Sequence, residues 1–227
     1  MDYRTLPYAP ECLPPEIPVF PLTGVLLLPG GELPLNVFEP RYIAMVDDAL
    51  RTPSRMIGMI QPRTFSCDAR TPPSGEALFT IGCAGRITAF AEQADGRYVM
   101  TLRGVCRFQV LRELENVSGY RRVTPCWELY TGDIQPAKPP DFDRARLHAL
   151  LERYFDLHHL DCDWNAVKQT PDERLITVLS MICPLDPGEK QALLEAACCL
   201  RRAELFMNML EMAIYGERLG DCSLFSH

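Results

Sequence analysis

Residues 16–42 read Glu-Ile-Pro-Val-Phe-Pro-Leu-Thr-Gly-Val-Leu-Leu-Leu-Pro-Gly-Gly-Glu-Leu-Pro-Leu-Asn-Val-Phe-Glu-Pro-Arg-Tyr. Up to Phe38 this is three short apolar runs cut by proline and glycine. Such runs are too short and too broken for helices and read as strands. Proline donates no ladder hydrogen bond, which assigns these strands to edges, bends or bulges. The pattern changes at Pro40, which suits a first helical turn. Tyr42, Met45, Val46 and Leu50 then keep helical spacing, so a helix is expected over about 40–50.

Downstream, strand patterns resume at Met56–Ile60 and Leu78–Phe90. Ala94-Asp95-Gly96-Arg97 is a hairpin turn by its Asp-Gly pair. Strands follow at Tyr98–Leu102, Cys106–Leu111 and Tyr120–Leu129, and the proline-containing interval Pro62–Glu76 reads as a loop. Several short strands with one helix predict a small barrel or folded-over sheet. Residues 132–141 are the linker candidate, after which the period changes from two to about 3.6. Leu147, Leu150, Leu151, Tyr154 and Phe155 form one stripe within 141–157. Thr170-Pro171-Asp172-Glu173 has the form of a capping box, opening a helix with the stripe Leu175, Ile176, Val178, Leu179 and Ile182. Asp186-Pro187-Gly188-Glu189 repeats the start signal. No proline or glycine follows Gly188 before Tyr215, which predicts one long helix over 187–215.

The chain has 227 residues, 47% of them hydrophobic and 23% charged, a globular composition. No apolar run approaches the roughly 20 residues of a membrane helix. Met1-Asp2-Tyr3-Arg4-Thr5 lacks the basic flank and apolar stretch of a signal peptide, so a cytoplasmic protein with no membrane partner is expected. The net charge is −7, with −2 over residues 1–137 and −5 over residues 138–227. Neither half has the positive charge that drives nucleic-acid binding by counterion release, so no nucleic-acid partner is expected. The ten cysteines include no Cys-x-x-Cys and several lie in apolar stretches; they read as buried free thiols.

The search for catalytic groups is mostly negative. Residues 1–137 hold no histidine and no lysine, which removes a histidine base, a Ser-Lys dyad or a Schiff-base lysine from that half. Phosphate-loop, nucleophile-elbow and dinucleotide-binding motifs are absent. His158, His159 and Cys162 have zinc-compatible chemistry, but His158 continues an apolar stripe and further ligands are missing. A hidden enzyme would need a pocket joining His148, His158 or His159 to a cysteine or carboxylate. Cys198 and Cys199 point about 100° apart on a helix and read as independent packing residues. Asp47-Asp48 and Asp161/Asp163 read as helix-surface or capping groups. No catalytic residue, metal site or cofactor is expected.

The ordered series Ile17-Pro18-Val19-Phe20-Pro21-Leu22, Val25–Gly30 and Leu33–Tyr42 resembles the start of the N-terminal substrate-binding domain of Lon proteases. Ile81–Ile87, Asp95–Tyr98, Gly104–Phe108, Glu189–Glu195 and Arg201–Leu205 extend the resemblance over about 14–215. It implies an α+β fold: an N-terminal PUA-like β-barrel or folded sheet with one short helix over 1–137, then a C-terminal α-helical bundle over 138–227. It implies a stand-alone, non-catalytic module binding unfolded protein or apolar peptide segments, with a protease as a further partner. Glu39, Arg41 and Tyr42, at the strand-to-helix junction, are the candidate contact residues. Against this stands a packing role, with Phe38 and Tyr42 in the core and Glu39 paired to Arg41. The alternatives are a small-molecule regulator using a crevice between the halves, and an RNA-binding PUA-like module.

Overall fold

The computed structural model describes residues 12–63, 76–135 and 140–223. Most of the expected loop over 62–76 and part of the expected linker lie outside the described residues. The fold is α+β. Six strands, β1 (Ile17–Pro21), β2 (Glu32–Val37), β3 (Met56–Ile60), β4 (Ile81–Glu92), β5 (Tyr98–Val117) and β6 (Tyr120–Cys126), form one mixed sheet. β1 is parallel to β3; every other pairing is antiparallel. The pairs β1–β3, β3–β4, β4–β5, β5–β6 and β6–β1 return to their start, so hydrogen bonding is continuous round five strands. β2 is added outside, on β5. Helix α1 (Pro40–Arg51) falls where the sequence expects it.

The 20-residue β5 corrects the expectation of two separate strands over 98–111. It carries β2 and β4 along its first part and β6 along its last, with bulges where the partner changes. Val25–Leu28 corrects another expectation: it is apolar without being a strand. Leu26, Leu27 and Leu28 are all buried, as a plug between the sheet and the helices. Gly104 is where this plug meets β5. A Cβ there would sit 2.0 Å from the Leu28 carbonyl oxygen, so only glycine fits.

β3 reads as an unbroken apolar run because both its faces are covered. Met56 and Ile60 join Ile17, Val19, Val105, Phe108 and Val123 inside the ring. Ile57 and Met59 face the other way, into a larger core shared with the helices. Phe108 fills the ring interior by lying against Gly58 and Gly82, where a Cβ would come within 2.8 and 2.6 Å of its ring.

The helices are α2 (Arg144–Leu157), α3 (Trp164–Gln169), α4 (Asp172–Ile182), α5 (Pro187–Glu195) and α6 (Cys199–Ser223). The five stripe residues of α2 are its buried residues, as expected. Three expectations fail. Thr170 does not cap α4; its hydroxyl donates to Ala166 O at 2.7 Å and closes α3, leaving Pro171 at the cap position. Ile182 and Val178 are exposed rather than part of the buried stripe. The expected long helix over 187–215 is broken between Glu195 and Cys199.

The break has a tertiary cause. Arg107 Nη1, reaching from β5, donates to Leu194 O at 3.0 Å and to Ala196 O at 2.6 Å. Arg202 Nε donates to Leu193 O at 2.9 Å. Two guanidinium groups thus take the carbonyls that a continuing helix would use, and cations suit a helix C-terminus. Asp133, from a 3-10 helix over Glu128–Ile134, accepts two side-chain bonds from Arg107 at 2.8 and 2.9 Å. The first residues of the expected linker are therefore structural.

Candidate functional site

The junction between β2 and α1 holds the three residues singled out in the sequence. Glu39 occupies the N-cap position of α1, and its Oε2 accepts from Arg41 Nε and Nη2 at 3.0 and 2.9 Å. The Arg41 guanidinium lies 4.7 Å from the centre of the Tyr42 ring. Tyr42 itself is buried and stacks on Phe20 with ring centres 4.2 Å apart. Burial pushes its phenol up to about 12, with Arg41 opposing the rise. The three residues are thus in contact, as a stack in which only Glu39 and Arg41 reach the surface.

Phe38 departs from the packing alternative, which places it in the core: it is 65% exposed. Alternation along β2 explains this. Leu35 and Val37 point to the core, so Pro34, Asn36 and then Phe38 point away from it. Asn36 pairs with Val99 and Val99 with Ala91, while Pro34 pairs with Thr101 and Thr101 with Ala89. Directly paired residues share a face, so five apolar residues, Phe38, Val99, Ala91, Ala89 and Pro34, stand on one outward surface across β2, β5 and β4, interleaved with the polar Asn36 and Thr101. All five are exposed. The period-two pattern of 33–38 already carries this information.

Beneath it, α1 is tied to the sheet by its own acidic pair. Tyr98 Oη donates to Asp47 at 3.0 Å and Tyr120 Oη donates to Asp48 at 2.8 Å. Asp47 and Asp48 are therefore cross-links between elements as well as helix-surface groups. Asp163 caps α3 by accepting from Asn165 and Ala166 N–H.

The other candidates are not drawn together. The His158 ring lies 4.3 Å from that of Tyr154 and His148 packs on Trp164 at 4.9 Å, while His159 sits at a positive φ of 51°. Among the described residues no three histidine, cysteine, aspartate or glutamate side chains converge as metal ligands. Cys83, Cys106 and Cys183 are buried; burial pushes Cys106 and Cys183 up to about 12 and Cys83 well above its ordinary value. Cys12 and Cys198 correct the expectation of uniformly buried thiols, since both are exposed.

Beside the shared apolar core, a few polar groups bond across the meeting of the β-rich and helical halves. Gln61 Nε2 donates to Pro187 O at 3.0 Å, Gln191 Nε2 to Ile81 O at 3.2 Å and Lys190 Nζ to Gly24 O at 2.9 Å. No helix among the described residues is long and apolar enough to cross a membrane.

A family model described as the ATP-dependent protease La (LON) substrate-binding domain matches residues 16–212. The chain belongs to the Lon substrate-binding domain family. The Lon protease of Anaeromyxobacter dehalogenans is 32% identical over 110 residues, covering 48% of this chain and 12% of that protein. The Lon protease of Cytophaga hutchinsonii is 21% identical over 214 residues, covering 90% of this chain and 25% of that protein. The match thus spans a quarter or less of these relatives. The crystal structure of a Lon N-terminal domain protein from Xanthomonas campestris superposes with a TM-score of 0.56 at 25% identity, covering 85% of this chain and 97% of that one. The N-terminal domain of a Mycobacterium avium complex Lon protease gives 0.55 at 16% identity, covering 86% and 98%, a likeness of fold. The motifs of 17–42 that carry the resemblance lie within the matched residues.

Proposed function

We propose that this Lon substrate-binding domain holds apolar segments of unfolded protein, as a non-catalytic adaptor to a protease in the cytoplasm. The observation that carries the reading is the outward apolar face of Phe38, Val99, Ala91, Ala89 and Pro34 on a chain of this family. Side-chain contact on that face suits a client of varied sequence better than strand addition. Among the described residues β2 pairs only with β5, and Pro34 in its middle blunts the free edge. Glu39, Arg41 and Tyr42 form the rim of the site. The ion pair and the buried ring hold α1 so that Phe38 stands out from the surface.

In this reading the five-strand ring is a PUA-like barrel, residues 1–137 carry the client face, and 138–227 form a helical bundle buttressing it. The net charge of −7 speaks against nucleic acid as the partner. The test is binding of a permanently unfolded, fluorescently labelled protein, followed by anisotropy. Burying a phenylalanine is worth about 1.5–3 kcal/mol, so Phe38→Asp weakens binding about tenfold or more and Val99→Asp does likewise. Unchanged affinity in both folded variants overturns the assignment.

A further inference from the structure

A second concave surface lies away from the client face. It is a cleft of about 940 Å³ between the segment Cys12–Pro18, the last turn of α1 with Pro53 and Ser54, and a floor from β3, β4 and β6. That volume is in the range of small-ligand sites. Its walls are apolar at Leu13, Pro14, Pro53 and Met56.

The charges lining it are unevenly engaged. Asp48 already accepts from Tyr120 Oη at 2.8 Å and from Arg51 Nη1 at 2.9 Å. The carbonyl of Ala49 at the end of α1 is covered by the Thr52 N–H and hydroxyl, at 3.1 and 2.7 Å. Arg122 on the floor is different. Its contact with Glu16 is 3.4 Å long, at the limit of a hydrogen bond, and its side chain is 30% exposed, so its outer N–H groups stay open to the cleft. A guanidinium so placed favours a planar anion that can take two parallel N–H bonds. Arg86 adds a second cation to the lining, in a chain whose net charge is −7.

We propose that this cleft binds a carboxylate carried on an apolar body, with Arg122 as the anchoring cation and the proline-rich walls covering the apolar part. The carboxylates of Glu16 and Asp48 also line the cleft and repel a dianion such as a phosphate monoester, so a single carboxylate is the better fit. The carboxylate belongs to the C-terminus of a polypeptide or to a free organic acid. The site is separate from the face carrying Phe38, and the proposal stands or falls without the client-binding reading.

The experiment is calorimetric titration of the full chain with three probes: an apolar hexapeptide with a free C-terminus, the same peptide as its C-terminal amide, and 4-phenylbutyrate. Binding of the free peptide at least tenfold tighter than its amide supports the site and names a polypeptide end as its source. Binding of 4-phenylbutyrate with neither peptide supports it with a small acid as source. In each case Arg122→Gln weakens the acid at least tenfold and Arg122→Lys restores part of the loss. Equal affinity for acid and amide overturns the proposal. So does the absence of binding by all three probes, or an Arg122→Gln variant that melts like the parent and binds the acid as tightly.

Discussion

Arg107 lies on β5 with its guanidinium buried, 4.4 Å from the centre of the Tyr130 ring. Its side chain gives two bonds to Asp133 and two to carbonyls at the end of α5. Removing one partner of a buried ion pair costs about 3–5 kcal/mol, because the other charge is left uncompensated. Arg107→Met is therefore expected to lower stability by about that amount in urea denaturation. Asp133→Asn is expected to do the same, while the pair changed together loses less than the sum. Additive losses would show that the two side chains act separately. Nothing in Gly104-Val105-Cys106-Arg107-Phe108 announces this role. A lone arginine in a strand reads as solvent-facing, and its acceptors lie 87 and 89 residues away. Tyr42 and Phe38 are more legible, since helical spacing buries the first and strand alternation exposes the second.

At the level of elements, what the chain can form by itself was readable and what is imposed from a distance was not. α1 and α2 follow from local spacing, and the capping box of Asp186 and Glu189 marks the start of α5. The interruption after Glu195 did not follow. No helix-breaking residue lies there, and the interruption depends on guanidinium groups at 107 and 202. The unpleated run Val25–Leu28 escaped for a related reason, because its apolar content suits a strand and only distant contacts, at Gly104 and Gly85, show that it packs as a plug. Gly104→Ala is expected to destabilise by about 3 kcal/mol or more, as overpacking against an immovable carbonyl does. Gly132→Ala, with nothing within 4 Å of its new methyl, is the control and is expected to change stability by about 0.5 kcal/mol or less. Similar urea midpoints for the two variants would remove the plug from the account.

In the whole molecule, one apolar cluster runs from Phe20 and Leu28 through Leu102 to Leu151, Leu179, Leu193 and Leu210. Each half lends the other part of its core, so both are expected to unfold together. The chain has two tryptophans, Trp127 after β6 and Trp164 in α3. Fluorescence of Trp127→Phe and Trp164→Phe proteins is expected to report the same midpoint relative to each variant's circular-dichroism transition. Two separated transitions would mean that the cluster is energetically divided. The family was legible at this scale because its motifs are spread over nearly the whole chain, and the match over 16–212 agrees with them. The binding surfaces were less legible. A face or cleft is assembled from strands far apart in sequence, and Arg122 meets Glu16 across 106 residues.

The closing of the five-strand ring also sets a clock. Ile17 takes its place beside Val123, so β1 waits for 106 further residues before its second neighbour exists. At about 5–20 residues per second of synthesis, that is roughly 5–20 s for each new molecule. Throughout that interval Ile17 and Val19, fully buried in the finished protein, remain in water on an unclosed strand. A domain proposed here to hold unfolded segments thus passes the first seconds of its own existence as one.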